Sequence, residues 1–443
     1  MKIVLFSTNA NHFEPSKFLT KTFPSRAEQL SNLAKRFCEH TFFVVAEPPA
    51  PFLLDIDENG EISKKAKEIQ YEILNEKHSS SEEVAGKIKE LKPDVAIAAS
   101  AWADPFDWIS IKDGIVSEIL ASKGVRVLAN PSSSAMKCFD KWQTKQLLFE
   151  LKIPTAKTVF VHHWLFWCAQ AKGGVRENVY REFVLKNIEN LHYPVVIKDT
   201  VGLSSFGMVV AKTFGEARDF LLSRKNSSDR IVEEYVEGRQ FGVEIHGTAE
   251  KYTVFPPMEF SVTKHGITSP KQNVKFLQKA DDSIPMEKLE KNMVQIAKSL
   301  SFSGIAQVDL VLSNGEWFVL EINPRLSGMT TSYAVSVGKN PIEMLVDAFF
   351  GKTDFSKMQS VLNFKLPPVD DEKLKKIFEM DGVLFASEIE NKFAVQKRGV
   401  GYAQLILDGE KAIETLEKIK KSNPELIEET FLKNAISLIK GNS

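Results

Sequence analysis

A hairpin between two long apolar segments constrains this 443-residue chain more than any other stretch of its sequence. The segments run from Gly304 to Leu312 and from Trp317 to Arg325, and Ser313-Asn314-Gly315-Glu316 separates them. An Asn-Gly dipeptide between apolar segments is typical of a tight turn that joins two antiparallel strands. The sequence therefore predicts a β-hairpin over residues 304–325.

Polar side chains interrupt the apolar pattern of this hairpin. Side chains alternate between the two faces of a strand, so Glu321 and Asn323 project to the same side. Asp309 on the partner strand can lie beside them. Carboxylate and amide oxygens are hard ligands that suit Mg²⁺, with Mn²⁺ as a second candidate ion. A solvated polar edge explains Asp309 alone, but it explains poorly an acid and an amide at the end of an apolar segment.

The same residues resemble a known family. Asp309 followed by Glu321-Ile322-Asn323-Pro324-Arg325 resembles the metal-binding end of ATP-grasp enzymes. The continuation from Ser327 to Ser332 is similar to D-alanine–D-alanine ligases, whereas Asn-Pro-Arg is closer to the biotin carboxylase and carbamoyl phosphate synthetase branches. The resemblance extends over roughly 112–347. It implies the α/β class and the ATP-grasp fold, with an N-terminal parallel α/β (pre-ATP-grasp) domain and a small C-terminal α/β domain.

The bulk composition excludes several classes of partner. Lys and Arg number 57 against 58 Asp and Glu, a net charge of −1, which argues against nucleic acid or an anionic membrane as the main partner. No apolar run approaches membrane-spanning length, and the Lys2–Phe6 run is too short for a signal peptide. The three cysteines show no metal-binding spacing, so we expect free thiols and a cytoplasmic location.

Strands alternate with helices in the first part of the chain, which predicts a parallel sheet over residues 1–135. Residues 62–91 are expected to be mostly helical, with a break near Ser79. Ligands of such sheets bind beyond the carboxyl ends of the strands. The loops over residues 9–14 and 101–107 are therefore candidate substrate loops, although ordinary connections explain them equally well.

The expected ATP-grasp domain covers residues 136–350, with a flexible lid over about 155–235. An aromatic-rich insertion at 162–183 either packs on its own domain or stacks on a base. Residues 351–443 form a C-terminal α/β appendage, with strands near 383–385, 393–395 and 402–407. This appendage either extends the wall of the active site or mediates homodimerisation, and the sequence leaves both open.

The phosphate side of the site is expected around Lys198, which ends the strand from Pro194. A Gly- and Ser-rich loop follows, and such loops offer backbone N–H groups to phosphate oxygens. The loop alone is a weak signal, but after a strand that ends in lysine it resembles the phosphate loop of ATP-grasp enzymes. The resemblance assigns phosphate contacts to Lys141, Lys198, Gly202, Ser204, Ser205, Phe206 and Gly207.

The adenine side is expected in the strand from Arg230, which without the resemblance is an ordinary amphipathic strand. The resemblance implies that backbone groups of Tyr235 and Val236 meet the adenine edge, with the carboxylate of Glu233 or Glu234 near its amino group. Gln240 stands where the family commonly has an acid or histidine for the ribose. Lys264 matches a lysine that closes over the γ-phosphate, but a solvated basic loop explains it equally well.

These assignments predict an ATP-dependent carboxylate–amine ligase. ATP would convert a carboxylate into an acyl phosphate, an amine would attack it, and ADP and phosphate would be released, with Arg325 stabilising the charge formed. Small-molecule acids and amines, with amino acids or peptides expected, are the substrates. The chain departs from D-alanine–D-alanine ligases at Gln307, where those enzymes carry arginine, so an L-amino-acid or peptide ligase fits better. An ATP-grasp carboxylase or nucleotide-pathway ligase, and a non-catalytic nucleotide-binding regulatory protein, are the alternatives.

Overall fold

The computed structural model describes residues 1–8, 18–21, 25–48, 50, 52–56, 61–74, 79–101, 109–171, 177–202, 208–261, 273–278, 283–389 and 402–441. Several sequence-based assignments lie outside these ranges. They are the loops over 9–14 and 102–107, the phosphate-loop residues Ser204, Ser205, Phe206 and Gly207, the expected strand at 393–395, and Lys264.

The strands of the described residues are β1 (Lys2–Ser7), β2 (Phe18–Thr20), β3 (Thr41–Ala46), β4 (Asp55–Ile56), β5 (Ile62–Lys64), β6 (Gln70–Ile73), β7 (Val95–Ala98), β8 (Arg126–Leu128), β9 (Thr158–Val161), β10 (Val195–Asp199), β11 (Val209–Ala211), β12 (Arg230–Glu234), β13 (Arg239–Thr248), β14 (Lys251–Val254), β15 (Met258–Phe260), β16 (Val274–Leu277), β17 (Gly304–Ser313), β18 (Glu316–Asn323), β19 (Val361–Leu366), β20 (Val383–Ile389) and β21 (Tyr402–Asp408). The helices are α1 (Arg26–Arg36), α2 (Ser81–Glu90), α3 (Ile109–Ala121), α4 (Ser132–Phe139), α5 (Lys141–Glu150), α6 (His163–Ala171), α7 (Val179–Glu189), α8 (Phe214–Leu221), α9 (Met286–Ser299), α10 (Gly328–Val337), α11 (Pro341–Phe349), α12 (Asp371–Glu379), α13 (Ala412–Ser422) and α14 (Glu429–Ile439).

The first sheet is parallel throughout, in the order β6-β3-β1-β7-β8, as the alternation of strands and helices predicted. Successive residues of β1 enter different cores: Leu5 packs with Leu30 of α1, and Phe6 packs with Ile88 of α2. Helices therefore cover both faces of the sheet, as expected for parallel strands.

The helical prediction for residues 62–74 is wrong, because this segment contains strands β5 and β6. Strand β6 pairs in parallel with β3 at the edge of the sheet, and this long-range pairing outweighs the local charge pattern. Helix α2 begins only after Ser80, whose side chain accepts from the Glu83 amide while the Glu83 carboxylate accepts from the Ser80 amide. This capping box satisfies two backbone donors and fixes the start of the helix.

The lid is a four-stranded antiparallel sheet in the order β11-β10-β12-β9. Helices α6, α7 and α8 cover one face of it. Phe166 from the aromatic-rich insertion is fully buried in this core, together with Val184 and Ala217. The described part of the insertion therefore packs on its own domain, the first of its two interpretations.

The central sheet runs in the order β18-β17-β13-β15-β16-β19-β21-β20-β2, with β14 paired to β13. The predicted hairpin is present as β17 and β18, and Trp317 at its tip is fully buried against Phe241 of β13. Strands β19, β21 and β20 continue this sheet beyond β16. Strand β2 from the start of the chain pairs with β20 at the far edge. Strand β19 and helix α12 have no counterpart in the sequence-based prediction.

No helix among the described ranges has the length and apolar composition needed to cross a membrane. The three cysteines are free thiols, of which Cys138 is buried and Cys38 is exposed.

Asn130, a buried residue after β8, links the first sheet to the central sheet. Its Oδ1 accepts from the Ser303 amide at 2.9 Å, and its Nδ2 donates to the Pro324 carbonyl at 2.8 Å. Pro324 immediately follows the end of β18, so this one side chain fixes the first sheet against the end of the hairpin.

We expect Asn130→Ala to lower the free energy of unfolding by about 2–3 kcal/mol, because it leaves a buried N–H and a buried carbonyl without this partner. Urea denaturation measures the change. Asn190→Ala is the control: Asn190 is exposed and its amide bonds only within its own helix, so the effect should stay within about 0.5 kcal/mol. A loss at Asn130 no larger than that of the control contradicts the assigned role.

Candidate active site

Strands β17 and β18 bring the three predicted metal ligands onto one face of the sheet. Asp309 lies directly opposite Glu321, and Asn323 lies opposite Gln307. Residues opposite each other in an antiparallel pair have Cβ atoms about 4.5–5.5 Å apart. The pairing register shifts by a β-bulge or irregularity between Asp309 and Leu310. The strands pair regularly on either side of this shift.

Gln307 connects the predicted ligands to one another. Its Nε2 donates to Asp309 Oδ1 at 2.6 Å, and its Oε1 accepts from Asn323 Nδ2 at 3.2 Å. Arg325 extends the chain of contacts, since one of its guanidinium nitrogens donates to Asn323 Oδ1 at 3.3 Å. The glutamine that distinguishes this chain from D-alanine–D-alanine ligases thus holds the carboxylate and the amide in a fixed geometry.

Lys141, the first residue of α5, joins the lid to the hairpin. Its backbone amide donates to the Thr200 carbonyl at 2.8 Å, and its Nζ donates to the Gly202 carbonyl at 3.1 Å. The same Nζ lies 3.1 Å from Glu321 Oε1. Asp140 caps the helix by accepting from two backbone amides of its first turn. The cap fixes the first turn of α5, and with it the position from which Lys141 reaches the site.

Lys198 and Glu233 form a buried charge cluster with Lys145, a residue that sequence analysis did not select. Lys198 Nζ contacts Glu233 Oε1, and Lys145 Nζ lies 3.0 Å from the other carboxylate oxygen. Burial alone would raise the pKa of Glu233, but the two ammonium groups outweigh it and lower the pKa to about 2. Lys145 also donates to Thr155 Oγ1 at 2.7 Å, which anchors the cluster to the start of the lid.

The two carboxylates of the predicted metal site have opposite pKa shifts. Burial, followed by the nearby charge of Glu321, raises the pKa of Asp309 to about 6. Burial alone would raise the pKa of Glu321 as well. The positive charges of Lys141, Lys198 and Arg325 outweigh this effect and hold the pKa of Glu321 below its usual value. The face thus carries one secure negative charge and one that is costly to ionise.

The residues assigned to adenine and ribose lie along β12 and β13. Lys198 pairs with Ile231 and Val196 with Glu233, so Lys198 and Glu233 share a face of the lid sheet. Glu234 projects to the other face, where its carboxylate accepts from His192 at 3.0 Å. Of the two alternative acids, Glu233 is therefore the one on the same side as Lys198.

Tyr235 and Val236 directly follow β12, and the Tyr235 amide donates to the Pro194 carbonyl at 3.0 Å. Gln240 lies near the start of β13, two residues before Gly242, which pairs with Asp309. Alternation therefore places Gln240 on the face of the predicted metal ligands.

Arg325 lines a cavity between the first sheet and the end of the hairpin. Ser100, Asp113 and Asn130 contribute polar groups to the same small cavity. Asp113 Oδ1 accepts from Thr8 Oγ1 at 2.5 Å and from Ser100 Oγ at 2.8 Å. Burial raises the pKa of Asp113 to about 6 despite these hydrogen bonds. The cavity thus joins the carboxyl edge of the first sheet to the predicted catalytic arginine.

Glu244 lies on the same sheet face as Gln240, as strand alternation predicted, but sequence analysis assigned it no role. It is fully buried, pairs with Gln307, and its Oε1 accepts from Thr330 Oγ1 at 2.6 Å and from Ser327 Oγ at 3.3 Å. His246 Nε2 lies 2.8 Å from its other oxygen. Ser327 and Thr330 form the capping box of α10, so Glu244 fixes the start of the helix that begins at Gly328.

Comparison with solved structures identifies the architecture. The chain superimposes on the L-amino acid ligase from Bacillus licheniformis with a TM-score of 0.62, at 14% identity, over 96% of this chain and 97% of that one. The chain has the ATP-grasp fold.

Sequence comparison points to the same group. Residues 165–338 match the family model described as D-ala D-ala ligase C-terminus. The D-alanine–D-alanine ligase of Buchnera aphidicola subsp. Schizaphis graminum is 26% identical over 246 residues, 53% of this chain and 74% of that protein. The carbamoyl-phosphate synthase of Methanobrevibacter smithii is 22% identical over 250 residues, 56% of this chain, and the match spans only 62% of that protein's length. The relatives of the chain are thus ATP-grasp ligases.

We expect Asp309→Asn to stabilise the protein without ligands by about 1–3 kcal/mol at pH 7.5, and the gain to vanish near pH 4. The pKa of Asp309 is raised from 3.8 in the unfolded chain to about 6, so ionising it in the folded protein costs stability as the pH rises through this interval. Thermal melts across this pH range measure the effect.

The control is Asp219→Asn, at an exposed carboxylate of the lid, which should show no such pH-dependent gain. Adding Mg²⁺ at pH 7.5 should raise the melting temperature of the wild type more than that of Asp309→Asn. Equal Mg²⁺ responses in the two proteins contradict the assignment of Asp309 as a ligand.

Proposed function

We propose that the protein is an ATP-dependent carboxylate–amine ligase that activates its acid substrate as an acyl phosphate. The observation that carries the proposal is the convergence on one sheet face of Asp309, Glu321 and Asn323 with Lys141 and Arg325. Transfer of a γ-phosphoryl group requires charge neutralisation in a fixed geometry rather than a protein nucleophile. This set of side chains has the charges for that task.

The donor set fits Mg²⁺. Asp309, Glu321 and Asn323 would hold it, and Mn²⁺ would suit the same oxygens. Two carboxylates and an amide fall short of a complete protein cage, and Mg²⁺ commonly takes one or two carboxylates and completes its shell with water and phosphate oxygens. When bound, the ion neutralises charge on the β- and γ-phosphates. Burial and the charge of Glu321 raise the pKa of Asp309, and a bound cation would favour its ionised form.

Lys141 and Lys198 are assigned to the phosphates. Each now contacts a carboxylate, Glu321 and Glu233 respectively, and phosphate oxygens can replace these partners without leaving an ammonium group uncompensated. Lys141 also contacts the Gly202 carbonyl, at the entrance to the phosphate loop.

The nucleoside is assigned to the end of β12 and the start of β13. Because the Tyr235 amide is used within the lid sheet, the Tyr235 carbonyl and the Val236 amide are the backbone groups assigned to the adenine edge. Glu233 is the acid on the required face, and Gln240 would bond the ribose hydroxyls. The Gly- and Ser-rich loop and Lys264 complete the proposed phosphate site from segments outside the described residues.

Arg325 is assigned to the reacting carboxylate and the charge that forms on it. It lies between Asn323 and the cavity that reaches Ser100 and Asp113. A small acid bound there would present its carboxylate to the phosphates, and the carboxyl edge of the first sheet would bind the rest of it. Amino acids or peptides are the proposed substrate class.

A carboxylase or a synthetase of another pathway is the second candidate, because the carbamoyl-phosphate synthase of Methanobrevibacter smithii is among the relatives. In that case bicarbonate would serve as the acid. A non-catalytic nucleotide-binding protein is disfavoured, because Lys141 contacts Glu321 and Arg325 contacts Asn323 on one sheet face.

The nucleotide product tests the reaction type. We expect ADP and phosphate rather than AMP and pyrophosphate, with turnover that needs both an acid and an amine. Hydroxylamine should trap the acyl phosphate as a hydroxamate. Oxygen-18 placed in the acid's carboxylate should appear in the released phosphate, as mass spectrometry can measure. Formation of AMP, or bicarbonate sufficing as the acid, would assign the protein to another reaction class.

Arg325→Ala should lower kcat by about 10²–10³-fold, because the proposed partner of the guanidinium is charge that develops during the reaction. The KM for ATP should change less than threefold. Steady-state kinetics at saturating substrates separate the two effects. Arg325→Lys, which keeps the charge but loses the planar donors, should recover part of kcat. A variant whose defect lies only in KM for ATP contradicts the role.

A further inference from the structure

Two lysines on the central sheet stand outside the site described so far. Lys275 lies on β16 and Lys365 on β19. Lys275 is directly opposite Asn363, and Lys365 follows two residues later on the same strand. The two side chains therefore project from one face, as diagonal neighbours whose Cα atoms are roughly 7–8 Å apart.

Neither ammonium group has an anionic partner within the part of the chain that the structure describes. Each side chain is partly buried and lies against an aromatic ring: Lys275 Nζ is 4.5 Å from the centre of Phe260, and Lys365 Nζ is 4.0 Å from the centre of Tyr402. By contrast, Lys141, Lys145 and Lys198 of the active site are all ion-paired. Cation–π contacts compensate only part of the desolvation of a charge.

The pair belongs to the electrostatic surroundings of the active site. Burial lowers the pKa of Lys275 to about 8, the charge of Lys365 adds to this effect, and Asp309 and Glu244 oppose it. The charge of the predicted metal ligand Asp309 thus acts on the ammonium group of Lys275. Burial lowers the pKa of Lys365 to about 8 as well.

The polar residues around the lysines are already fixed. Gln404 lies opposite Lys365, and its Nε2 donates to Asn363 Oδ1 at 3.2 Å. Asn363 Nδ2 in turn donates to Ser332 Oγ of α10 at 2.6 Å. Both amides are buried. The surface between the lysines is therefore a polar floor, and no acidic side chain of the described residues forms an ion pair with either ammonium group.

We propose that Lys275 and Lys365 form a subsite for a second anionic oxygen group of the acid substrate, a carboxylate or a phosphate, distinct from the carboxyl that reacts at Arg325. The identification of the bound molecule as a substrate rests on the proposed function. The existence of an anion subsite does not depend on it. It names the substrate as an acid with two anionic groups. It also gives the C-terminal strands β19 and β21 a role in recognition.

Matched pairs of probes test the subsite by calorimetry on the full chain, with and without Mg-ADP. The pairs are L-glutamate with L-glutamine, succinate with succinamate, and O-phospho-L-serine with L-serine. In at least one pair we expect the more anionic member to bind tenfold or more tightly. The phosphoserine pair distinguishes a phosphate from a carboxylate as the recognised group.

Variants assign any preference to the lysines. Lys275→Met with Lys365→Met keeps the apolar stems and should abolish the preference, whereas the double change to arginine keeps the charges and should retain at least half of it on a logarithmic scale. Lys375→Met, at an exposed position of α12, is the matched control and should bind as the wild type does. A preference absent from every pair, or one that survives the double methionine change, overturns the proposal.

Hydroxamate formation with ATP separates this inference from the proposed function. If no acid yields a hydroxamate but the lysine-dependent anion preference is present, the ligase assignment fails and the subsite stands. If neutral amino acids yield hydroxamates as efficiently as dianionic ones, with the same kcat/KM in the double methionine variant, the subsite fails and the ligase assignment stands.

Discussion

Repulsion between two carboxylates side by side on a partly buried strand pair is the constraint on which the site depends. Asp309 and Glu321 face each other across β17 and β18, and in a medium of low dielectric both cannot stay ionised without nearby cations. Lys141 comes from α5, Lys198 from the lid, and Arg325 from the segment after β18. Charge balance at one point therefore holds together parts of the chain that are far apart in sequence.

The same charge balance connects the expected lid to the hairpin. Lys141 contacts the carbonyl of Gly202 and the carboxylate of Glu321 at the same time, and Lys198 lies against Glu233. These ion pairs substitute for the phosphate contacts proposed for both lysines. Exchange of one set of anions for another costs less than desolvating a lysine anew, so the site is prepared in advance.

Local patterns predicted a large part of this arrangement. The Asn-Gly turn and strand alternation predicted the hairpin and the shared face of Glu321 and Asn323, and the βα alternation predicted the first sheet. The described geometry brings most of the site residues together. Their individual roles stay predictions. Lys264 and the loop from Ser204 to Gly207 lie outside the described residues.

The features that sequence analysis missed are defined by contacts between residues far apart in the sequence. Lys145 is one of many lysines that the chain carries on its helices. Its contact with the buried Glu233 is what distinguishes it from the others. Strand β19, which carries Lys365, pairs with β16 and β21, and both partners are far from β19 in the sequence. No turn signal therefore marks β19 as a strand. Residues 62–74 led to the opposite error, because a charged pattern that resembled a helix contains the edge strand β6, which pairs with β3.

The pairing of β2 with β20 has a consequence for how the chain is made. Leu19 pairs with Ala386, and the Lys21 amide donates to the Leu384 carbonyl. During synthesis these early residues emerge from the ribosome long before their partner exists, while the first sheet can already fold around β1 and β3. The edge of β20 is covered only when nearly the whole chain has been released. Closure of the sheet at this edge is thus a non-local event that can occur only late in synthesis.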